Sequence, residues 1–179
     1  MTDAASTGRL FLTESIETFR KQKELAGKGV VQLSDEQLHQ SLDENTNSVA
    51  VIMKHVAGNL RSRWTDFLSS DGEKPWRNRD SEFIDDFGSR AELFSFWERG
   101  WDCLLETLVA LTPQDLTKTV TIRGEPHSVV LAVQRALDHT GYHTGQIILV
   151  ARVLAKDKWS VLTISRGQSE QFNRQFSKS

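Results

Sequence analysis

Residues 128–155 read SVVLAVQRALDHTGYHTGQIILVARVLA, a long stretch without proline that opens on a serine. Its apolar side chains recur at the three- and four-residue spacing of an α-helix, and serine is a common helix N-cap. The side chains expected to face inward are Val130, Val133, Leu137, Ile148, Ala151 and Leu154. The stretch therefore predicts one long amphipathic helix with a face that must be buried.

Three further long helices are predicted, at residues 10–31, 48–68 and 89–111. The second of these carries a continuous apolar stripe that consists of Val49, Ile52, Met53, Val56, Leu60, Trp64 and Phe67. The inward positions of the third are Leu93, Trp97, Leu104, Leu108 and Leu111. The chain has only three prolines, all outside these helices, so no helix needs to be kinked.

The connections between the helices complete the predicted fold. We expect residues 69–86 to form a loop ordered by Trp76, Phe83 and Phe87, residues 119–122 to be extended, and residues 169–176 to form a short helix. Similar capped turns, at residues 33–38 and 111–116, follow the first and third helices. They indicate two similar helical hairpins packed face to face, although such turns are also common helix ends. The prediction is an all-α four-helix bundle, as one domain over residues 1–179.

Composition limits the classes of function. Hydrophobic residues make up 38% and charged residues 26% of 179 residues, and the formal net charge is −2. No strong basic field is present, so we expect no nucleic-acid partner. Cys103 is the only cysteine, and we see neither a signal peptide nor an apolar run of membrane-spanning length. We expect a cytoplasmic protein without a membrane partner.

Two histidines in the last predicted helix are the first candidates for chemistry. His139 and His143 stand four residues apart, so both imidazoles can reach one point beside the helix. Zinc, nickel and ferrous iron all accept imidazole nitrogen. Such a pair also occurs by chance on many solvated helices, and two ligands alone would bind weakly.

A third histidine lies in the second predicted helix. Like the pair, His55 borders the apolar stripe of its helix, and facing helices of a bundle commonly build a metal site together. The predicted ligands are therefore His55, His139 and His143, with Asn59, Gln146 and Asp138 as candidates for side chains that orient them. The alternative for His55 is a surface histidine, because its flank is partly polar.

The remaining histidines and the cysteine are assigned other roles. His39 and His127 are predicted at the surface or in helix caps, and the alternative for His127 is a position near the mouth of the site. Cys103 is predicted in the core. Gly141 and Gly145 cost helix stability, which suggests the close approach of another backbone.

The sequence resembles the DinB-like family, also called the YfiT-like metal-dependent hydrolases. The resemblance rests on His55 within KHVAGNL at 54–60, on HTGQI at 143–147, on TISRGQS at 163–169 and on RNRD at 77–80. It spans nearly the whole chain and is strongest to a branch of unknown function. One departure is Thr144, where members of the family often have a basic residue.

The resemblance implies a four-helix bundle, a three-histidine site for one divalent metal ion, and often a homodimer. It also implies a small-molecule substrate, because relatives include transferases that use low-molecular-weight thiols. Three neutral imidazoles leave an open metal position that suits water or a thiol. We therefore expect a metal-dependent enzyme, with thiol transfer to an electrophile ahead of hydrolysis. The alternative is a non-catalytic, stress-related module that binds a metal or a ligand.

Three further expectations concern the general base, the mouth of the site and the oligomeric state. Asp138 and Asp66 are candidates for a general base by composition only, and Arg79, Asp80 and Glu82 are placed at the mouth of the site because their loop follows the second helix. The homodimer is also suggested by a surplus of tryptophans, Trp76, Trp97, Trp101 and Trp159, beyond what one small core readily encloses. Trp76 and Trp159 would otherwise pin the loop and the tail onto the bundle.

Overall fold

The computed structural model describes residues 3–174, and most of them are helical. The helices and strands are α1 Ala4–Val30, α2 Asp35–His39, α3 Val49–Trp64, α4 Arg90–Ala110, β1 Thr119–Ile122, β2 Glu125–Ser128, α5 Val129–Ala155 and α6 Ser169–Arg174. The predicted all-α fold with four long helices is confirmed. No helix in residues 3–174 is long and apolar enough to cross a membrane.

The four long helices pack around one apolar core. The main contacts join α3 with α4 and α1 with α5, while α3 also touches α5 and α1 also touches α4. The two predicted helical hairpins are α1 with α3 and α4 with α5. The helices of each hairpin therefore make their main contacts with helices of the other hairpin. The apolar stripe predicted for the second helix lies in this core, since each of its members is at most 6% exposed.

A glycine on α4, which has no side chain, lets this helix approach α3 closely. A Cβ atom built on Gly100 would lie 2.6 Å from Cα of Ala57, which is far inside van der Waals contact. Because that neighbour is backbone, it cannot swing away as the end of a side chain could. Gly100 is thus required by the packing of α3 against α4.

The observed helix ends correct several predicted bounds. Helix α1 begins at Ala4 and not at residue 10, because the Asp3 side chain accepts a hydrogen bond from the backbone of Ala5. Helix α3 has Ser48 as its N-cap and ends at Trp64, not at residue 68, because Thr65 is extended. Asp66 then adopts a φ of 47°, in the left-handed region that ends a helix.

The predicted extended segment is the first strand of a hairpin. Strands β1 and β2 pair antiparallel, and the two turn residues, Arg123 and Gly124, have φ values of 57° and 76°. This pattern is typical of a type I′ turn. Its backbone N–H groups donate to the Asp71 carboxylate, at 2.9 Å from Arg123 and 2.8 Å from Gly124. The hairpin is therefore fastened to the long loop before α4.

The long loop is ordered, but not by the residues expected to order it. Trp76 and Phe83 are 54% and 49% exposed, and only Phe87 packs against the core. The side chains that the loop buries are instead charged, with Lys74 at 7% and Glu82 at 5% exposure. Hydrogen bonds and ion pairs, and not apolar burial, therefore hold this loop. The predicted tail helix is observed as α6, and residues 175–176 of that prediction lie outside the described residues.

We predict that Gly100→Ala lowers the free energy of unfolding by about 1–3 kcal/mol. The reason is that the free-energy cost of overpacking exceeds the roughly 1 kcal/mol by which alanine is favoured over glycine in a helix. Gly27→Ala is the matched control, since a Cβ there meets nothing within 4 Å. It should raise the stability instead. Urea unfolding followed by circular dichroism measures both, and equal midpoints for the two variants would contradict the packing argument.

Candidate metal centre

Three histidines from two helices meet between α3 and α5. One nitrogen each from His55, His139 and His143 lies within 4.8 Å of the others. The closest pair is Nε2 of His55 and Nε2 of His139, at 3.3 Å. His139 and His143 lie one helical turn apart on α5, and His55 reaches them from α3 at 7% exposure. The structure thus brings together the three histidines that the sequence predicted as metal ligands.

A buried carboxylate fixes the imidazole of His55. Oε2 of Glu82 lies 2.9 Å from Nδ1 of His55, and a carboxylate only accepts hydrogen bonds, so Nδ1 carries the proton. The lone pair of Nε2 then faces the other two histidines. Arg77 in turn donates from Nε to Oε1 of Glu82 at 2.7 Å and from Nη2 to Oε2 at 2.9 Å. Two-point pairing of this kind fixes the carboxylate in one orientation.

An amide fixes the imidazole of His143 in the same way. Oε1 of Gln146 lies 2.7 Å from Nδ1 of His143, and Nε2 of Gln146 donates to the Tyr142 hydroxyl at 2.9 Å. In this orientation of the amide, its oxygen accepts a hydrogen bond from Nδ1–H of His143. Nε2 of His143 is therefore unprotonated and free to bind a cation. Gln146 was among the side chains predicted to orient the ligands, whereas no sequence signal pointed to Tyr142.

The environment of the cluster favours the neutral forms of His139 and His143. Burial, followed by the nearby His143 and His55, lowers the pKa of His139 to about 3. Burial and His55 also lower the pKa of His143, although its hydrogen bond to Gln146 opposes the shift. Neutral imidazole is the form that binds metals.

The donor set fits a divalent cation. With Nδ1 of each ring occupied, Nε2 of His55 and Nε2 of His143 face the same small region, and the lone pairs of neutral imidazoles placed in this way repel each other unless a proton or a cation lies between them. Nδ1 of His139 is buried without a hydrogen-bond partner, so the protein does not fix the tautomer of this ring as it does the other two. The three imidazoles together are the ligand type that zinc, nickel and ferrous iron accept.

Space for the Glu82 carboxylate comes from a glycine on α3. A Cβ atom on Gly58 would lie 2.6 Å from Oε1 of Glu82, so any larger residue would displace the carboxylate. Burial by itself raises the pKa of Glu82, but the hydrogen bonds from His55 and Arg77 outweigh it and hold the pKa below its usual value. Glu82 is therefore ionised, as its pairing with Arg77 requires.

A cavity of about 170 Å³ opens beside the cluster, and His55 and His139 form part of its wall. Asn59, one of the predicted orienting residues, also lines this cavity. Arg79 lines it too, as the sequence suggested for the mouth of the site, whereas Asp80 is an exposed residue that does not.

Other predicted residues lie elsewhere. Asp138 is exposed, and within residues 3–174 it forms no hydrogen bond with the three histidines; the carboxylate at the site is Glu82. Asp66 lies near Cys103 and not at the cavity. The prediction of His127 as a surface or capping residue is wrong, because it is 6% exposed and Nη1 of Arg135 donates to its Nε2 at 2.7 Å. His39 binds Asp85 at 2.8 Å, away from the cluster.

The fold of the chain is that of a DinB-like helical bundle. It resembles the crystal structure of a DinB-like protein, YjoA, from Bacillus subtilis, with a TM-score of 0.60 at 15% sequence identity. The match covers 86% of this chain and 97% of that one. At this identity the likeness shows the fold alone, and the predicted resemblance to DinB-like proteins is confirmed.

The particular family follows from the sequence match. Residues 6–168 match the family described as "Protein of unknown function (DUF1572)", and the chain belongs to it. No curated protein is similar enough to the chain to count as a match. The family description names no activity, so the site itself must support a functional proposal.

We predict that Glu82→Leu lowers the free energy of unfolding by about 3–5 kcal/mol, because it removes both hydrogen bonds that the buried guanidinium of Arg77 donates to Glu82 and leaves only Glu73, 3.7 Å from Nη1, as a charged partner. Side-chain exposures of 2% for Arg77 and 6% for Glu82 place both groups away from water. The double variant Arg77→Leu/Glu82→Leu should be more stable than the single variant. Urea unfolding measures all three proteins, and a double variant less stable than Glu82→Leu would contradict this account.

Proposed function

We propose that the chain binds one divalent metal ion, zinc, nickel or ferrous iron, through His55, His139 and His143. The observation that carries the proposal is the orientation of the imidazoles. Glu82 and Gln146 occupy Nδ1 of His55 and of His143, so both Nε2 atoms are left to face the cluster. Hydrogen bonds from the distal nitrogen of a ligating histidine are the usual way in which proteins orient such ligands.

We further propose that the site is catalytic and acts on a small molecule, with thiol transfer to an electrophile ahead of hydrolysis. Within residues 3–174, no fourth histidine, cysteine or carboxylate joins the group of three. A closed structural site would have four protein ligands. A divalent ion held by three neutral imidazoles would act as a Lewis acid that makes a bound thiol or water more acidic.

The side chains around the cavity favour the thiol over water. Within residues 3–174 no aspartate or glutamate lines the cavity, and the two candidates for a general base, Asp138 and Asp66, are not among its lining residues. A thiol has a pKa of about 8.5 and ionises readily, whereas water starts from about 15.7 and depends more on assistance. The same lack of a base is the observation that favours the alternative, a non-catalytic, stress-related module that binds a metal or a ligand.

We predict that His139→Ala loses the bound metal and keeps most of its helical content, because the apolar core and not the metal stabilises the bundle. His39→Ala is the matched control, since His39 pairs with Asp85 outside the cluster. Elemental analysis and circular dichroism of the same samples measure both properties. Equal metal content in the two variants would refute the ligand assignment, and unfolding on chelation would show that the metal is structural.

Catalysis is tested on the same proteins. The wild type with its metal should consume a low-molecular-weight thiol in the presence of an aryl halide faster than His139→Ala does, and ester hydrolysis measured in parallel compares the two chemistries. Metal binding without either activity would leave the non-catalytic alternative.

We also propose that the protein is a homodimer. The tryptophans give little support, because Trp97 and Trp101 are buried in the core and Trp159 packs against it, with one ring atom 3.7 Å from a Cβ built on Gly29. Support comes instead from one exposed apolar face of α5. Its members are Tyr142 at 63%, Leu149 at 62% and Val153 at 47% exposure, beside open space at Gly145.

We predict that the wild type sediments at micromolar concentration with twice the mass of the chain, and that Leu149→Glu sediments as a monomer, because a charge in an apolar interface opposes association. Val109→Glu, at a position 63% exposed on α4, is the control and should remain dimeric. A wild type of single-chain mass would rule out the dimer.

A further inference from the structure

Four arginines from four different segments line the cavity beside the histidine cluster. Arg63 comes from α3, Arg79 from the loop before α4, Arg123 from the hairpin turn and Arg135 from α5. Among the described residues, no carboxylate lines the same cavity. Guanidinium groups that line one space add their positive potentials, and such a potential attracts an anion.

The carboxylates around the cavity do not balance these charges. Glu73 accepts hydrogen bonds from both Arg63 and Arg123, at 3.1 Å each, so one carboxylate is shared between two of the four arginines. Within the described part of the chain, Arg79 and Arg135 have no carboxylate within ion-pair distance. Positive charge at the cavity is therefore in excess.

Two of the arginines have features that suit a bound anion. Nη1 of Arg63 is buried and has no hydrogen-bond partner, so a cavity-lining guanidinium retains an unused donor. Arg135 is held by His127, whose Nδ1 donates to the backbone carbonyl of Glu125 at 2.9 Å and whose Nε2 therefore accepts from the guanidinium. A neutral acceptor orients Arg135 without neutralising its charge.

We propose that the substrate of the site is a small organic acid or phosphate ester, whose oxyanion these arginines bind while its reacting part lies at His55 and His139. This assignment rests on the metal-dependent function proposed above. Guanidinium groups bind carboxylate and phosphate through paired hydrogen bonds. The cavity of about 170 Å³ has room for on the order of ten non-hydrogen atoms. Trp64, Phe67 and Ile122 add an apolar wall for the carbon skeleton.

Calorimetric titration of the purified protein, with its metal content measured, tests the proposal with malonate, inorganic phosphate and the neutral malonamide. At least one of the two anions should bind, and the one that binds tighter indicates the oxyanion. Malonamide should not bind. Arg79→Gln/Arg135→Gln should weaken anion binding by about tenfold or more without a change in metal content. Arg152→Gln removes an exposed charge from α5 outside the cavity and should bind as the wild type does.

The outcomes separate this proposal from the metal site. If anion affinity is unchanged in the double variant, or if malonamide binds as well as malonate, the proposal is overturned. If His139→Ala abolishes anion binding and the arginine variant does not, the metal alone binds the anion, and the proposal is also overturned. Arginine-dependent binding to a protein without metal would uphold the anion site and refute the metal function. Should the double variant fail to fold, Arg79→Gln alone decides, because Arg79 is exposed.

Discussion

The buried series Arg77–Glu82–His55 is the interaction on which the site depends. Arg77 and Glu82 both belong to the long loop before α4, and Glu82 crosses to α3, where Gly58 leaves room for its carboxylate. Breaking the ion pair would leave a charge buried away from water, which is more costly than keeping the loop in place. One set of hydrogen bonds thus both orders a polar loop and fixes the proton on His55.

Helix α3 belongs both to the apolar core and to the histidine site, because its different faces contact different elements of the fold. Ala57 meets Gly100 of α4, Gly58 meets Glu82 of the loop, and His55 faces α5. Two glycines, one on α3 and one on α4, therefore set the distances at which a helix and a loop approach α3. An imidazole held between such rigid neighbours loses little entropy when it binds a ligand, which is the usual advantage of a preorganised site.

The electrostatics of the site change over a short distance. In the histidine cluster, His139 and His143 favour the neutral form, since burial and neighbouring imidazoles lower the pKa of His139 to about 3 and also lower that of His143. The adjoining cavity is positive, because its arginines exceed the carboxylates that pair with them. A neutral nitrogen cluster suits a cation and a positive wall suits an anion, so the two regions complement a metal ion and an acidic substrate respectively. The fold that this chain shares with a DinB-like protein does not by itself require either.

The sequence alone determined the long helices and the histidines. Apolar periodicity located four helices, and the four-residue spacing of His139 and His143, with His55 on a matching flank, indicated the cluster that the structure contains. These signals are local, because periodicity and spacing within one helix follow from its geometry. Only the tertiary structure decided that Glu82 and not Asp138 holds a histidine, that His127 is buried against Arg135, and that four arginines share one cavity. The contact of Glu82 and the shared cavity depend on segments distant in the chain, and the contact of His127 with Arg135 depends on how the hairpin folds back on α5, so the periodicity of a single helix encodes none of them.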